Sequence, residues 1–131
     1  MPHTVQASTP LELITALVDA RTRGDIDAAV AFFEPEATLI AQPGMPLKGP
    51  EAIRGFFETY VGWRPVFEVS ARDIITTGDL ALHMSAWTLQ GTGADGQAFT
   101  LSGRTTDVFR RQPAGHWLVM IDNPWGTALL G

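Results

Sequence analysis

Three ionisable side chains stand in stretches that otherwise read as strands: His83 in "GDLALHMSAWTLQG", Asp107 in "TDVFRR" and Asp122 in "WLVMIDNPWG". A histidine titrates near neutral pH and suits a general base or acid. Two carboxyl groups facing one apolar pocket disfavour each other's charge, and desolvation adds to this, so at least one would carry a raised pKa and serve as a proton donor. Other roles are open to all three. His83 could pack within the sheet or at a subunit interface. Each aspartate could cap a loop, pair with Arg104, Arg110 or Arg111, or face solvent. His3 and His116 fall in the N-terminal segment and at a turn, so His83 is the histidine expected inside a strand.

The chemistry depends on which side chains share a face. A symmetric turn through Pro113 and Ala114 pairs Arg111 with His116, which sets Asp107 opposite Met120 and diagonal to Asp122, with Phe109 and Leu118 beside them. Diagonal neighbours on such a pair lie about 7–8 Å apart at the backbone. A bulge or an odd-numbered turn would send one aspartate to the opposite face. On the preceding strand, alternation groups His83, Ser85 and Trp87 against Leu82, Met84 and Ala86, and the His83 face is expected to line the pocket. Trp63, Trp87, Trp125 and Met120 supply flat or deformable apolar surface for a ligand, whereas Trp117, just after the turn, reads as strand packing.

These residues need a scaffold. "STPLELITALVDARTRG" opens with Ser8 or Thr9 as N-cap and Pro10 at the first helical position, repeats Leu11, Ile14, Leu17 and Val18 at helical spacing, and stops at Gly24. Asp25 caps a second, short helix, which Pro35 should end. "ATLIA" reads as a strand, "QPGMPLKGP" as a loop, and "PEAIRGFFETYVG" as a third helix. Residues 66–76, 79–90, 97–111 and 116–125 are rich in β-branched and aromatic residues and are broken by "TGD", "GTGADG" and "QPAG". The result is an α+β domain, with three N-terminal helices on one face of an antiparallel meander.

With 131 residues, 45% of them hydrophobic, the chain can bury one core as a single domain spanning 1–131. A net charge of −5 with nine scattered basic residues argues against a nucleic-acid partner. The absence of cysteine excludes thiolate chemistry and fits the cytoplasm. No stretch approaches about 18 continuous apolar residues, so no membrane span is expected. Isolated histidines give no zinc spacing, and "GTGADG" is a hairpin turn rather than a phosphate loop, so no metal or nucleotide cofactor is expected.

The stretches "GDIDAAVAFFEPEATLI", "LKGPEAIRGFF", "GDLAL" and "DVFRRQPAGHWLVMIDNPWG" resemble the nuclear transport factor 2-like superfamily, which includes ketosteroid isomerase, SnoaL-like polyketide cyclases and limonene epoxide hydrolase. The resemblance implies a cystatin-like cone: a strongly curved, mainly antiparallel sheet closed by the helices around a deep apolar pocket. Asp107 is similar in position to the isomerase's protonated oxyanion-hole aspartate. Ala41 and Leu17 stand where the isomerase has its base aspartate and its tyrosine, which argues against steroid isomerisation by that mechanism. Asp122 matches the last member of the epoxide hydrolase's aspartate–arginine–aspartate trio, but the positions of its Arg and Asp partners fall near Ser85 and Trp87, so that water-activating set is incomplete.

Two functions follow. One is a cofactor-independent enzyme of the cyclase, isomerase or hydratase type, moving protons on an apolar or polycyclic substrate with Asp107, Asp122 and His83. The other is a non-catalytic dimeric protein that binds a hydrophobic small molecule. Strands with apolar residues on both faces, such as Leu82 and Met84 against Trp87, lead to the expectation of a homodimer through the outer sheet face.

Overall fold

The computed structural model describes residues 6–61 and 65–131, so Trp63 lies outside the described residues. Helix α1 spans Pro10–Arg23; Thr9 caps it by accepting the Glu12 amide at 3.1 Å, and Gly24, at φ 72°, closes it in the left-handed conformation. Asp25 accepts the Ala28 amide at 3.1 Å and starts α2, Ile26–Ala31. Helix α3 runs from Pro50 to Val61.

Two elements differ from the sequence reading. The second helix ends before Pro35, and strand β1 already begins at Phe33 and runs to Gln42. Proline is tolerated in this strand because the pairing with the neighbour is irregular between Phe33 and Thr38, so no ladder amide is needed there. The expected loop contains β2, Met45–Lys48, folded back on β1. The remaining strands are β3 Val66–Thr77, β4 Leu80–Thr92, β5 Ala98–Arg111 and β6 Trp117–Asp122.

The six strands form one curved sheet in the order β2-β1-β6-β5-β4-β3, in which β1 and β6 are parallel and the other neighbours antiparallel. The fold is therefore α+β, three helices on the concave side of an open sheet. Helix α1 packs on β3 and β6, and α3 on β1 and β2. Leu13, Leu17 and Ala20 of α1, Ile53 and Phe57 of α3, and Leu39, Phe109 and Val119 of the sheet form the shared core. Burying a large apolar side chain of this kind stabilises the fold by roughly 1.5–3 kcal/mol. Among the described residues, no helix is long and apolar enough to cross a membrane.

Irregular pairing aims the strands. Arg111 pairs with Trp117 and Phe109 with Val119, one residue away from the symmetric register expected at the turn, and the ladder then shifts so that Val108 pairs with Ile121. Met120 is the extra residue. The apolar companions of Asp107 on the inner face are consequently Phe109 and Val119, not Leu118 and Met120. A second irregularity between Val69 and Ala71 does the same on β3.

Candidate functional site

Above the core the curved sheet and helices α1 and α3 leave a cavity of about 800 Å³ of empty space, its open mouth included. Its lining comes from inward positions of β3, β4 and β5, the end of β6 and one stripe of α1. On β4 the inner positions are Ala81, His83, Ser85 and Trp87, and on β5 they are Thr105, Asp107 and Phe109; His83 pairs directly with Asp107, and Ser85 with Thr105.

His83 and Asp107 form a buried dyad. Nδ1 of His83 lies 2.8 Å from Oδ2 of Asp107, with the two residues only 1% and 3% exposed. The other carboxylate oxygen, Oδ1, accepts the Asn123 amide at 2.9 Å and the Thr105 hydroxyl at 2.6 Å. With Oδ1 occupied by two donors, Oδ2 is the oxygen that faces His83, and an Nδ1–H donated to it leaves the lone pair on Nε2. The ring is stacked on Phe109, with centroids 5.4 Å apart and planes at 18°. Its remaining nitrogen, Nε2, is buried and has no protein partner. A ring held by a carboxylate at Nδ1, with a free lone pair at Nε2 in a cavity, is equipped to take a proton from a ligand.

Asp122 enters the same cavity because of the Met120 bulge. Burial, then the negative charge of Asp107 and a side-chain hydrogen bond with it, push the Asp122 pKa up to about 8; Arg21 opposes the shift. Near pH 7 Asp122 is mostly a neutral acid beside the hydrogen-bonded Asp107. Two carboxyl groups with different surroundings thus take opposite roles.

The segment after β6 locks this arrangement. Besides its amide bond to Asp107, Asn123 donates from its side chain to Thr106 Oγ1 at 3.0 Å and to the Gly126 carbonyl at 3.2 Å. Trp87 and Trp125 meet edge to face at 5.8 Å, and each indole N–H is tied to a carbonyl: Trp87 to Pro124 at 2.8 Å and Trp125 to Ala41 at 3.0 Å. Gly103 is required here, since a Cβ would lie 2.8 Å from the Trp87 ring.

Of the residues singled out in the sequence, His83, Asp107, Asp122, Trp87 and Trp125 line the cavity together. Met120 does not; the bulge takes it out of the lining. Ala41 and Leu17 also line it, so the positions of the isomerase base and tyrosine are apolar wall. Arg110 and Arg111, considered as partners for the aspartates, are engaged elsewhere, Arg110 with Glu34 at 2.6 Å and Arg111 with Asp79 at 2.6 Å.

Sequence reasoning missed Thr105, Asn123, Arg21 and Arg72. Arg21 continues the α1 stripe of Ile14, Leu17 and Val18 at helical spacing, a signal that was present in the pattern. Arg72 gave none, because simple alternation from Val69 points it outward and only the β3 irregularity sets it opposite Ser85, facing in. Among the described residues, no group of three or more His, Asp or Glu side chains could hold a metal ion.

The family model of the SnoaL-like domain matches residues 14–120. A comparison with curated proteins gives no match. Solved structures similar to the chain include a nuclear transport factor 2-like superfamily protein from Salmonella enterica serovar Typhimurium, at 22% identity and TM-score 0.76, covering 86% of this chain and 84% of that one. A nuclear transport factor 2-like protein of unknown function from Pseudomonas putida is 25% identical, with TM-score 0.70 and coverage of 86% and 80%. A nuclear transport factor 2-like protein from Streptomyces avermitilis, provisionally named a dehydratase, is 20% identical, with TM-score 0.71 and coverage of 84% and 88%.

Proposed function

Because the chain belongs to the SnoaL-like domain family of the nuclear transport factor 2-like superfamily, a scaffold on which function resides in the cavity residues, we propose that it is a cofactor-independent enzyme moving protons on an apolar or polycyclic small molecule. The observation that carries this reading is the His83–Asp107 pair at 2.8 Å with Nε2 buried and unpartnered, set in one cavity with a raised-pKa acid.

The geometry supports elimination or addition of water, or isomerisation, next to a carbonyl. His83 Nε2 takes the proton from the carbon α to the carbonyl, and the ring becomes an imidazolium stabilised by Asp107. The released electron pair forms the new C=C bond as the C–O bond to a β-hydroxyl breaks. Asp122 gives its proton to that oxygen, which leaves as water. The Nε2 proton then passes back to Asp122 through water admitted as the product leaves, which restores the lone pair on His83 Nε2 and the acid at Asp122. The name of the Streptomyces neighbour points to the same class of reaction. The test is a spectrophotometric screen of aromatic β-hydroxyketones for loss of water. His83→Gln should lower turnover by about 100-fold or more; full activity in that variant would remove the proposal's base.

The second reading is a non-catalytic dimer that binds a hydrophobic molecule. It is favoured by an apolar row on the outer sheet face, where Ile75 pairs with Leu82, Leu82 with Val108 and Val108 with Ile121 across four strands. Homodimerisation through this row is compatible with either function.

A further inference from the structure

Two guanidinium groups face the cavity and the proton-transfer scheme uses neither. Arg21 projects from α1 over aromatic rings, its guanidinium carbon 4.5 Å from the centroid of Phe67 and 4.9 Å from that of Phe57. Among the described residues no ion pair ties its guanidinium to a carboxylate, and Asp122, Tyr60 and Asp107 act on it electrostatically. Arg72, on β3 opposite Ser85, also lines the cavity, and its buried Nε has no hydrogen-bond partner. Burial lowers the pKa of both, with the cationic form still the one present at any physiological pH.

The charge balance of the lining is uneven. Its ionisable acids are Asp107 and Asp122; Asp107 is already the acceptor for His83, Thr105 and the Asn123 amide, and Asp122 is mostly neutral near pH 7. Two guanidiniums therefore face one engaged carboxylate in a poorly solvated space. Unpaired buried charge is costly, and a planar guanidinium is the group best shaped to bind a carboxylate through parallel N–H donors.

We propose that the cavity takes an anionic ligand, a flat aromatic or polycyclic carboxylate whose charged group lies against Arg21 and Arg72 while its rings pack on Trp87 and Trp125. This rests on the reading of the cavity as the substrate site and adds the substrate class. The rings of Phe67, Trp87 and Trp125 receive the apolar body, and the carboxylate anchors one end, leaving the carbon framework to His83.

The test compares naphthalene-2-carboxylate with naphthalene-2-carboxamide, probes of nearly the same shape and different charge, by calorimetric titration at pH 7. The carboxylate should bind about tenfold tighter or better. Arg72→Met and Arg21→Met, which keep an unbranched apolar stem, should each shrink the preference to within about twofold while amide binding stays within about threefold. Arg21→Lys, which retains charge and should fold even if the methionine variant does not, should keep part of it. Equal or tighter binding of the amide, no carboxylate binding at millimolar concentration, or a preference that survives both methionine variants would each overturn the proposal. Binding needs no turnover, so the outcomes are separable: His83→Gln should be inactive and keep the anion preference. If wild-type turnover proves independent of His83 the catalytic reading fails and this one stands.

Discussion

Val119 and Ile121 are alternate residues of one strand, yet Val119 is 1% exposed and Ile121 37%, because the ladder between β5 and β6 shifts at Met120. Regular alternation would have put both on one side and Asp122 on the other. The shift turns Ile121 out to the convex surface and Asp122 in, beside Asp107.

The raised Asp122 pKa carries a stability consequence with a definite sign. The folded state holds a proton at Asp122 that the unfolded chain, at a reference pKa of 3.8, has released, so stability is highest below about pH 4 with respect to this group and falls as pH rises toward 8. The slope is at most about 1.4 kcal/mol per pH unit. Of the groups that face the same space, Arg21 opposes the shift and tempers the slope, whereas Asp107 adds to it. Asp122→Asn should flatten the slope in urea titrations between pH 5 and 8; an unchanged slope would show that Asp122 is ionised throughout.

Activity should follow the same group. If Asp122 delivers the proton, kcat declines above about pH 8 as the acid is lost, and Asp122→Asn removes that limb with a loss of about 100-fold. A variant that keeps the basic limb would assign it to another residue.

Asp107→Asn tests the dyad rather than the cavity. An amide cannot hold the imidazolium as a carboxylate does, so turnover should drop by about 100-fold or more with KM changing little. Proton NMR of the histidine ring should show the Nδ1–H signal moving upfield as its short hydrogen bond to Asp107 is replaced.

Thr105→Val removes the 2.6 Å donor to Asp107 Oδ1 while the Asn123 carbonyl keeps the Thr106 amide at 2.9 Å. Loss of one hydrogen bond to a charged group predicts destabilisation of about 1.5–3 kcal/mol, read from chemical denaturation. A neutral outcome would mean that the hydroxyl donates to the Asn123 carbonyl, which lies 2.9 Å away.

The outer row of Ile75, Leu82, Val108 and Ile121 predicts association of two copies. Light scattering should give about twice the 14.2 kDa chain mass, and Leu82→Glu should return it to the monomer.

Much of the scaffold was legible in the sequence for local reasons. Thr9, Pro10 and Gly24 delimit α1 by capping chemistry that acts within a few residues, and the alternation of β4 correctly grouped His83 with Ser85 and Trp87. What failed was register, which is decided between strands. The turn pairs Arg111 with Trp117 rather than His116, and Met120 then adds a second shift; two one-residue errors of the same sense cancel, so both aspartates were expected on one face for an incomplete reason. At Arg72 one shift went uncompensated and the residue was missed. The sequence carries the second helix up to Pro35 and starts the strand at Ala37, whereas β1 begins at Phe33, since an unpaired stretch of strand needs no amide hydrogen.

The tying of both indoles to backbone carbonyls bears on how a ligand is chosen. Swinging Trp87 or Trp125 aside would strand the Pro124 or Ala41 carbonyl without its donor and break the contact over Gly103, so this wall keeps its shape whether or not a molecule is present. Such a template loses little conformational freedom on binding and discriminates by fit: a planar ring system of the right width meets a finished surface, and a bulky saturated one must deform hydrogen-bonded backbone to be accepted.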